Sequence, residues 1–187
     1  MPGFGETEIG LPLNLYEVAD IVHEFCNSLN IVKPIILGHS YGGRIAIIYA
    51  SKYDVAKLIL VDSAGIKQPL TMKKKANIRL YKLLKKFNFN PKMGSKDYIN
   101  SDNVKRRMLV DAVNTDLKEE MNLIDVETLL IYGENDKTTS LDLANEIKEN
   151  IKNSGLVVIE DAGHFPYLDK PYVFQLIVDS FLASDVI

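Results

Sequence analysis

The sequence has few of the features that mark secreted, membrane-spanning or nucleic-acid-binding proteins. Its 187 residues contain a single cysteine, Cys26, so no disulfide can form within the chain, which is typical of the reducing cytoplasm. No apolar run approaches the roughly 18 residues that are needed to span a bilayer. The formal net charge is -3, and the basic excess typical of nucleic-acid-binding domains is absent. We therefore predict a cytoplasmic protein that binds no nucleic acid and has no stable membrane anchoring.

Short apolar runs alternate with amphipathic stretches along much of the chain. The runs Ile35–Leu37 and Lys57–Asp62 have apolar, β-branched centres, as strands buried on both faces do. Further strands are predicted at Thr128–Tyr132 and Leu156–Ile159, and stretches with helical spacing separate the strands. This alternation predicts an α/β fold in three layers, with a mostly parallel sheet and helices on both faces.

Capping residues predict where helices begin. Asn14 precedes a helix predicted to extend to Leu29, and Glu17, three positions later, would complete a capping box. The apolar residues of this helix recur on one face: Leu15, Val18, Val22, Phe25 and Leu29. Ser140 is predicted to cap a later helix that stops at Gly155, and Pro171 to open the last one.

The stretch from Ile66 to Asp125 interrupts this alternation. It is poor in strands and predicts two or more helices inserted as a cap, residues 66–125, between two parts of the core, residues 1–65 and 126–187. A basic amphipathic helix could lie on a membrane surface, but a solvated face of the cap is the favoured interpretation because the whole chain is acidic. The basic residues concerned are Lys73, Lys74, Lys75, Arg79, Lys82, Lys85 and Lys86.

The segment GHSYG, residues 38–42, follows one predicted strand and precedes a helix predicted over Gly43–Tyr53. In a nucleophile elbow, a sharp turn between strand and helix holds the serine in a strained conformation with its hydroxyl exposed. Ser40 is therefore the candidate nucleophile, and the backbone N–H of Tyr41 the candidate oxyanion donor. A glycine-rich structural turn is the alternative, and the strand–helix context argues against it.

A serine hydroxyl needs a base to accept its proton, and the chain has three histidines. His23 lies on the polar side of the first helix and is predicted to be a solvated surface residue. His39 is fixed within the turn and predicted to point away from the serine. His164 follows the last strand, at the carboxyl end of the sheet, where sites of α/β proteins are built. His164 is the predicted base.

The base in turn needs an acid that fixes its tautomer and stabilises the imidazolium. Asp136 follows the strand Thr128–Tyr132 and would lie at the same end of the sheet. Glu134 falls within the tight turn that leaves this strand, and Asp161 is too near His164 in sequence to approach its ring easily. Asp136 is the predicted acid.

The order Ser40, Asp136, His164 resembles that of the α/β-hydrolase family, as does the separation of 28 residues between acid and base. Three flanking segments add to the resemblance: PGFG at residues 2–5, DSAG at 62–65 and GHFPYL at 163–168. It implies a hydrolase fold with a small helical cap and hydrolysis of an ester, lactone or similar bond without a metal or cofactor. The serine at position 40 argues against dehalogenase or epoxide hydrolase chemistry, which uses aspartate there.

The resemblance also implies segments that the sequence lacks. Relatives carry about 60 to 80 residues before the equivalent of Pro2, including the opening strands and a His-Gly loop that supplies a second oxyanion donor. We therefore predict an N-terminally truncated fold in which Tyr41 alone supplies an oxyanion N–H. The strand at Ile35–Leu37 would have an exposed edge, through which two copies could form a homodimer.

Two functions stay open at this stage. One is a serine hydrolase that cleaves an ester or related acyl bond of a small, largely apolar substrate. The alternative is a catalytically weak or inactive ligand-binding protein or fragment with the same fold.

Overall fold

Four strands form one parallel sheet in the computed structural model, which describes residues 1–7, 9–68 and 103–183. The strands are β1 (Ile35–His39), β2 (Lys57–Val61), β3 (Thr128–Gly133) and β4 (Ser154–Ile159). Their order in the sheet is β1-β2-β3-β4, and all three pairings are parallel. Each strand lies where an apolar run predicts it.

Seven helices occur among the described residues. They are α1 (Leu15–Ser28), α2 (Tyr41–Lys52), α3 (Asn103–Asn114), α4 (Lys118–Asn122), α5 (Leu141–Asn150), α6 (Pro166–Asp169) and α7 (Pro171–Ala183). The predicted caps are confirmed. Asn14 Oδ1 accepts the N–H of Glu17 at 2.9 Å, Glu17 Oε2 accepts that of Asn14 at 2.7 Å, and Ser140 Oγ accepts that of Leu143 at 3.3 Å.

Helices cover both faces of the sheet. On one face, α1, α2 and α5 bury Val18, Ile47 and Ile147 in the same core as Leu60 of β2. On the other, α7 packs its apolar side on Ile59, Ile131 and neighbouring strand residues. The prediction of a three-layer α/β fold is confirmed.

The predicted end of α5 is wrong. The helix ends at Asn150, Ile151 has an extended backbone, and Gly155 lies inside β4. The end is stabilised by the Ser154 hydroxyl, which lies 3.0 Å from the Lys148 carbonyl and 2.7 Å from that of Ile151. Carbonyls at a helix end need such partners. Here the Ser154 side chain bonds them, whereas many helices use a glycine in the left-handed conformation, which lets the following backbone N–H groups reach these carbonyls.

The buried stripe of α1 also differs from the predicted one. Leu15 and Val18 are buried as expected, but Phe25 and Leu29 are exposed. The stripe continues through Ala19 and through Cys26, which is 7% exposed, because α2 packs against that side of α1.

Much of the predicted cap segment, including the lysine-rich stretch, lies outside the described residues. Its described part contains α3 and α4, whose Met108 and Met121 are buried in the same core as Leu60. The division into core and cap stays a prediction. Within the described ranges, no helix is long and apolar enough to cross a membrane.

Strand β1 lies at one end of the sheet, with β2 as its only partner among the described strands. Ile35 is 50% exposed and Leu37 is 48% exposed. The described part of the structure therefore presents an apolar strand at a sheet edge.

Candidate active site

The carboxyl ends of the four strands bring polar side chains to one edge of the sheet. Ser40 directly follows β1, Asp62 directly follows β2, Asp136 comes shortly after β3, and His164 lies in the loop after β4. Because the strands are parallel and adjacent, these four residues meet although they are far apart in sequence.

Ser40 occupies the strained turn that the sequence predicts. Its φ is 52° and its ψ is -111°, a conformation that non-glycine residues seldom adopt. The Ser40 N–H donates to Val61 at 3.1 Å, and the Ser40 carbonyl accepts the N–H of Gly43 at the same distance. A Cβ at Gly38 would lie 2.6 Å from the Gly42 carbonyl oxygen, so glycine is needed where strand and helix approach.

The three residues predicted to form a triad lie in one hydrogen-bonded row. Ser40 Oγ is 3.0 Å from His164 Nε2, and His164 Nδ1 is 2.7 Å from Asp136 Oδ2. A carboxylate can only accept, so Nδ1 carries the hydrogen and Nε2 is left to accept the serine hydroxyl. The arrangement can move a proton from Ser40 to His164 while Asp136 faces the positive charge that develops.

Asp136 is held as a carboxylate. Its side chain is fully buried; its Oδ1 accepts the N–H of Thr138 at 2.6 Å, and its Oδ2 also accepts the hydroxyl of Thr139. Burial by itself raises the pKa of Asp136, but the hydrogen bonds from Thr139, His164 and Thr138 outweigh burial and lower it below its ordinary value.

The other acidic residues that the sequence offers are engaged elsewhere. Glu134 Oε2 accepts the N–H of Asp161 at 3.1 Å. The Asp161 carboxylate lies 3.7 Å from the ammonium of Lys170. These contacts agree with the preference for Asp136 as the acid.

His39 has a structural part in the site that its sequence position does not predict. Its Nε2 lies 2.7 Å from the His164 carbonyl oxygen, so Nε2 must carry the hydrogen and donate it. Burial lowers the pKa of His39, which favours the neutral ring. The residue before Ser40 thus holds the loop that carries His164. The only sequence signal is that His39 is adjacent to Ser40.

His23 lies away from this site, and its predicted solvation is wrong. Its ring is half-buried and stacks on Tyr53 with 3.6 Å between centroids. Its Nδ1 lies 3.3 Å from the hydroxyl of Tyr49. These two tyrosines, in and just after α2, cover the side of α1 that the sequence suggests is polar.

Asp62 is a buried acid with no chemical role predicted from the sequence. Its side chain lies beside the triad, its φ is 38°, and its Oδ1 accepts the N–H of Gly133 at 3.0 Å. Burial raises the pKa of Asp62 to about 8, with a smaller contribution from the nearby Asp136. An apolar strand followed by aspartate was visible in the sequence, but burial of the carboxyl was not.

A cleft of about 450 Å³ opens above Ser40 and His164. Apolar side chains supply much of its wall, among them Phe4, Leu109 and Phe165. Phe4 also packs on the ring of Tyr41, 5.0 Å away between centroids. The cleft therefore suits a small ligand with an apolar part close to the serine hydroxyl.

The N–H of Tyr41 begins α2, and the first N–H groups of a helix have no partner within the helix. Its role as an oxyanion donor beside Ser40 stays a prediction. Two N–H groups of the nearby N-terminal segment have other acceptors: Gly3 donates to Thr7 and Phe4 to Met1, each at 3.0 Å.

Asp62, Asp136 and His164 are the described residues whose donor atoms group most like metal ligands, all within 4.8 Å of one another. Both ring nitrogens of His164 already face protein partners, Asp136 and Ser40. We therefore assign no metal to this group, and the absence of metals and cofactors stays a prediction.

Comparison with known proteins places this chain in a family. The profile of the alpha/beta hydrolase family matches residues 1–174. The chain belongs to this family. That membership confirms the fold class and the family resemblance predicted from the sequence.

Named relatives in the family include lipases and esterases. The chain is 26% identical to Lipase 1 of Psychrobacter immobilis over 89% of its own length and 62% of the relative's. It is 28% identical to the mouse monoacylglycerol lipase ABHD6, covering 98% of this chain and 66% of that protein. An esterase structure from Exiguobacterium antarcticum superposes with a TM-score of 0.77 at 25% identity, covering 98% of this chain and 79% of that one. The chain thus spans about two thirds of these curated relatives.

Proposed function

We propose that the protein is a serine hydrolase that cleaves an ester or related acyl bond of a small, largely apolar substrate. The observation that carries this proposal is the row of hydrogen bonds from Ser40 through His164 to Asp136, with Ser40 in a strained turn. The lipases and esterases among the relatives support the same reaction class.

In the proposed mechanism, Ser40 Oγ attacks the substrate carbonyl carbon while His164 Nε2 takes its proton. Asp136 stabilises the resulting imidazolium through Nδ1–H, and the N–H of Tyr41 binds the oxyanion. The imidazolium then gives its proton to the leaving alcohol. An acyl-serine remains, and water activated by the same histidine hydrolyses it.

The substrate class follows from the cleft. Phe4, Leu109 and Phe165 offer apolar surface beside the serine, which suits the acyl or alkyl part of an ester. The mechanism uses no metal or cofactor. The single cysteine is buried and unpaired, which supports a cytoplasmic location.

The test is labelling with a fluorophosphonate probe, which reacts with an activated serine. We expect the folded wild-type protein to be labelled and Ser40→Ala and His164→Ala not to be. Hydrolysis of p-nitrophenyl esters of increasing acyl length would then define the substrate. A folded wild-type protein without labelling would refute the hydrolase proposal.

That negative outcome would favour the second candidate, a ligand-binding protein with the same fold. The observation behind it is that the N–H groups of Gly3 and Phe4 already donate to Thr7 and Met1, so among these described groups only the N–H of Tyr41 is proposed as an oxyanion donor. Loss of a single donor costs roughly 100- to 1,000-fold in turnover. Binding of a short-chain ester or fatty acid by the Ser40→Ala variant would then be measured by calorimetry.

A further inference from the structure

The carboxyl of Asp62 lies beside the triad without a complete set of partners. The side chain is fully buried, and Oδ1 accepts the N–H of Gly133. No donor among the described residues reaches Oδ2. A carboxylate oxygen of Asp62, one of Asp136 and a ring nitrogen of His164 all lie within 4.8 Å of one another.

Two carboxylates at this distance inside a protein repel each other, and an unpaired buried charge is costly. A proton on one of them removes the repulsion and creates a donor. Asp136 already accepts hydrogen bonds from Thr138, Thr139 and His164, which favour its charged form. The proton therefore belongs on Asp62, and Oδ2 is the oxygen free to carry it.

We propose that Asp62 is a protonated positioning residue, whose Oδ2–H donates to the carboxylate of Asp136 and steadies it against His164. The proposal rests on the proposed function, because it gives Asp62 a part in orienting the base of that same triad. In this proposal Asp62 acts through Asp136, not on the serine or the substrate.

The surroundings of Asp62 support the neutral form. The titratable groups that face it carry negative or no charge, apart from the imidazole when protonated: Asp136, Asp169, Tyr132, Tyr167 and His164. Burial raises the pKa of Asp62 to about 8, and the charges of Asp136 and Asp169 act in the same direction. No lysine or arginine is among these groups, so none offers a counter-ion for a charged Asp62.

The proton can be observed directly. The protein would be labelled with carboxyl-¹³C aspartate, and its carboxyl resonances followed by NMR from pH 4 to 10. We expect one resonance to titrate near pH 8 and to be missing from Asp62→Asn, whereas an ordinary aspartate titrates near 3.9. If every aspartate resonance titrates below about pH 5, the proposal is wrong.

The positioning role is tested by the rate of fluorophosphonate labelling. Because a hydrogen bond to a charged group is lost, Asp62→Ala should react about tenfold or more slowly than wild type at pH 7. Asp62→Asn, whose amide can still donate to Asp136, should recover most of that rate. Above pH 8 the wild-type rate should fall as Asp62 ionises, and the Asp62→Asn rate should not.

Equal labelling of Asp62→Ala and wild type would overturn the positioning role, as would an alkaline fall that persists in Asp62→Asn. The NMR titration uses the wild-type protein and therefore stands even if Asp62→Ala does not fold. A resonance that titrates near pH 8 in a protein that the probe does not label would support the shared proton and refute the proposed function.

Discussion

Replacement of Gly133 by alanine should separate Asp136 from His164 without mutating either residue. Gly133 is the last residue of β3, and a Cβ there would lie 2.2 Å from the Gly163 carbonyl oxygen and 2.6 Å from that of Ala162. Both contacts are with backbone atoms, which cannot rotate away. An ordinary C···O contact is about 3.3 Å, so the loop must move by roughly 1 Å.

His164 directly follows Gly163 and would move with it. Its bond to Asp136 is 2.7 Å long, and a displacement of roughly 1 Å would take the atoms beyond hydrogen-bond distance. Misplacement of this size costs about 100-fold in rate. The overpacking itself should lower the free energy of unfolding by about 1–3 kcal/mol.

The assay combines the labelling rate at pH 7 with unfolding in urea. The matched control is Gly155→Ala, because Gly155 also lies in a strand but a Cβ there meets nothing within 4 Å. We expect Gly133→Ala to be folded, less stable and about 100-fold slower, and Gly155→Ala to react as wild type. A folded Gly133→Ala protein with wild-type labelling would refute the reasoning.

Three further predictions concern other parts of the molecule. Asp136→Asn should slow labelling by about three to four orders of magnitude without loss of fold, because the amide favours the wrong tautomer of the base; a rate near wild type would exclude Asp136 as the acid. Asn14→Ala should lower the free energy of unfolding in urea by about 1 kcal/mol through loss of the capping box, and an unchanged value would contradict that role. The wild-type protein should self-associate through β1 at micromolar concentration, as measured by light scattering. Leu37→Lys should reduce this association, whereas the control Leu11→Lys, at an exposed site outside the sheet, should not. A monomeric wild-type protein would contradict this prediction.

The sequence predicts those features that local chemistry determines. Asn14 and Ser140 can be recognised as caps because the groups they bind are three residues away. The hydrogen-bonded row of Ser40, His164 and Asp136 is predictable for a different reason: each member follows an apolar run, and parallel strands bring their carboxyl ends together. Neither inference requires knowledge of how helices pack.

The features that the sequence analysis did not predict depend on packing between distant segments. The partner of His39 is a carbonyl 125 residues away, and the burial of Asp62 depends on β3 and the loops beyond it. Gly155 carries a helix-stop signal, but the Ser154 hydroxyl already provides the end of α5, and Gly155 continues into β4. The pattern of residue types along the sequence does not determine the partner of His39, the burial of Asp62 or the end of α5.

The single thiol of the chain lies in α1, on the side that packs against α2, and is 7% exposed. Because Cys26 is buried, we expect a small alkylating reagent to react with its sulfur mainly when this layer opens or the chain unfolds. The alkylation rate in native buffer, divided by that of an unstructured thiol, is then an opening equilibrium constant, in which each factor of ten is about 1.4 kcal/mol. Cys26 thus reports, without any introduced label, how often α1 separates from α2, the helix that begins beside Ser40.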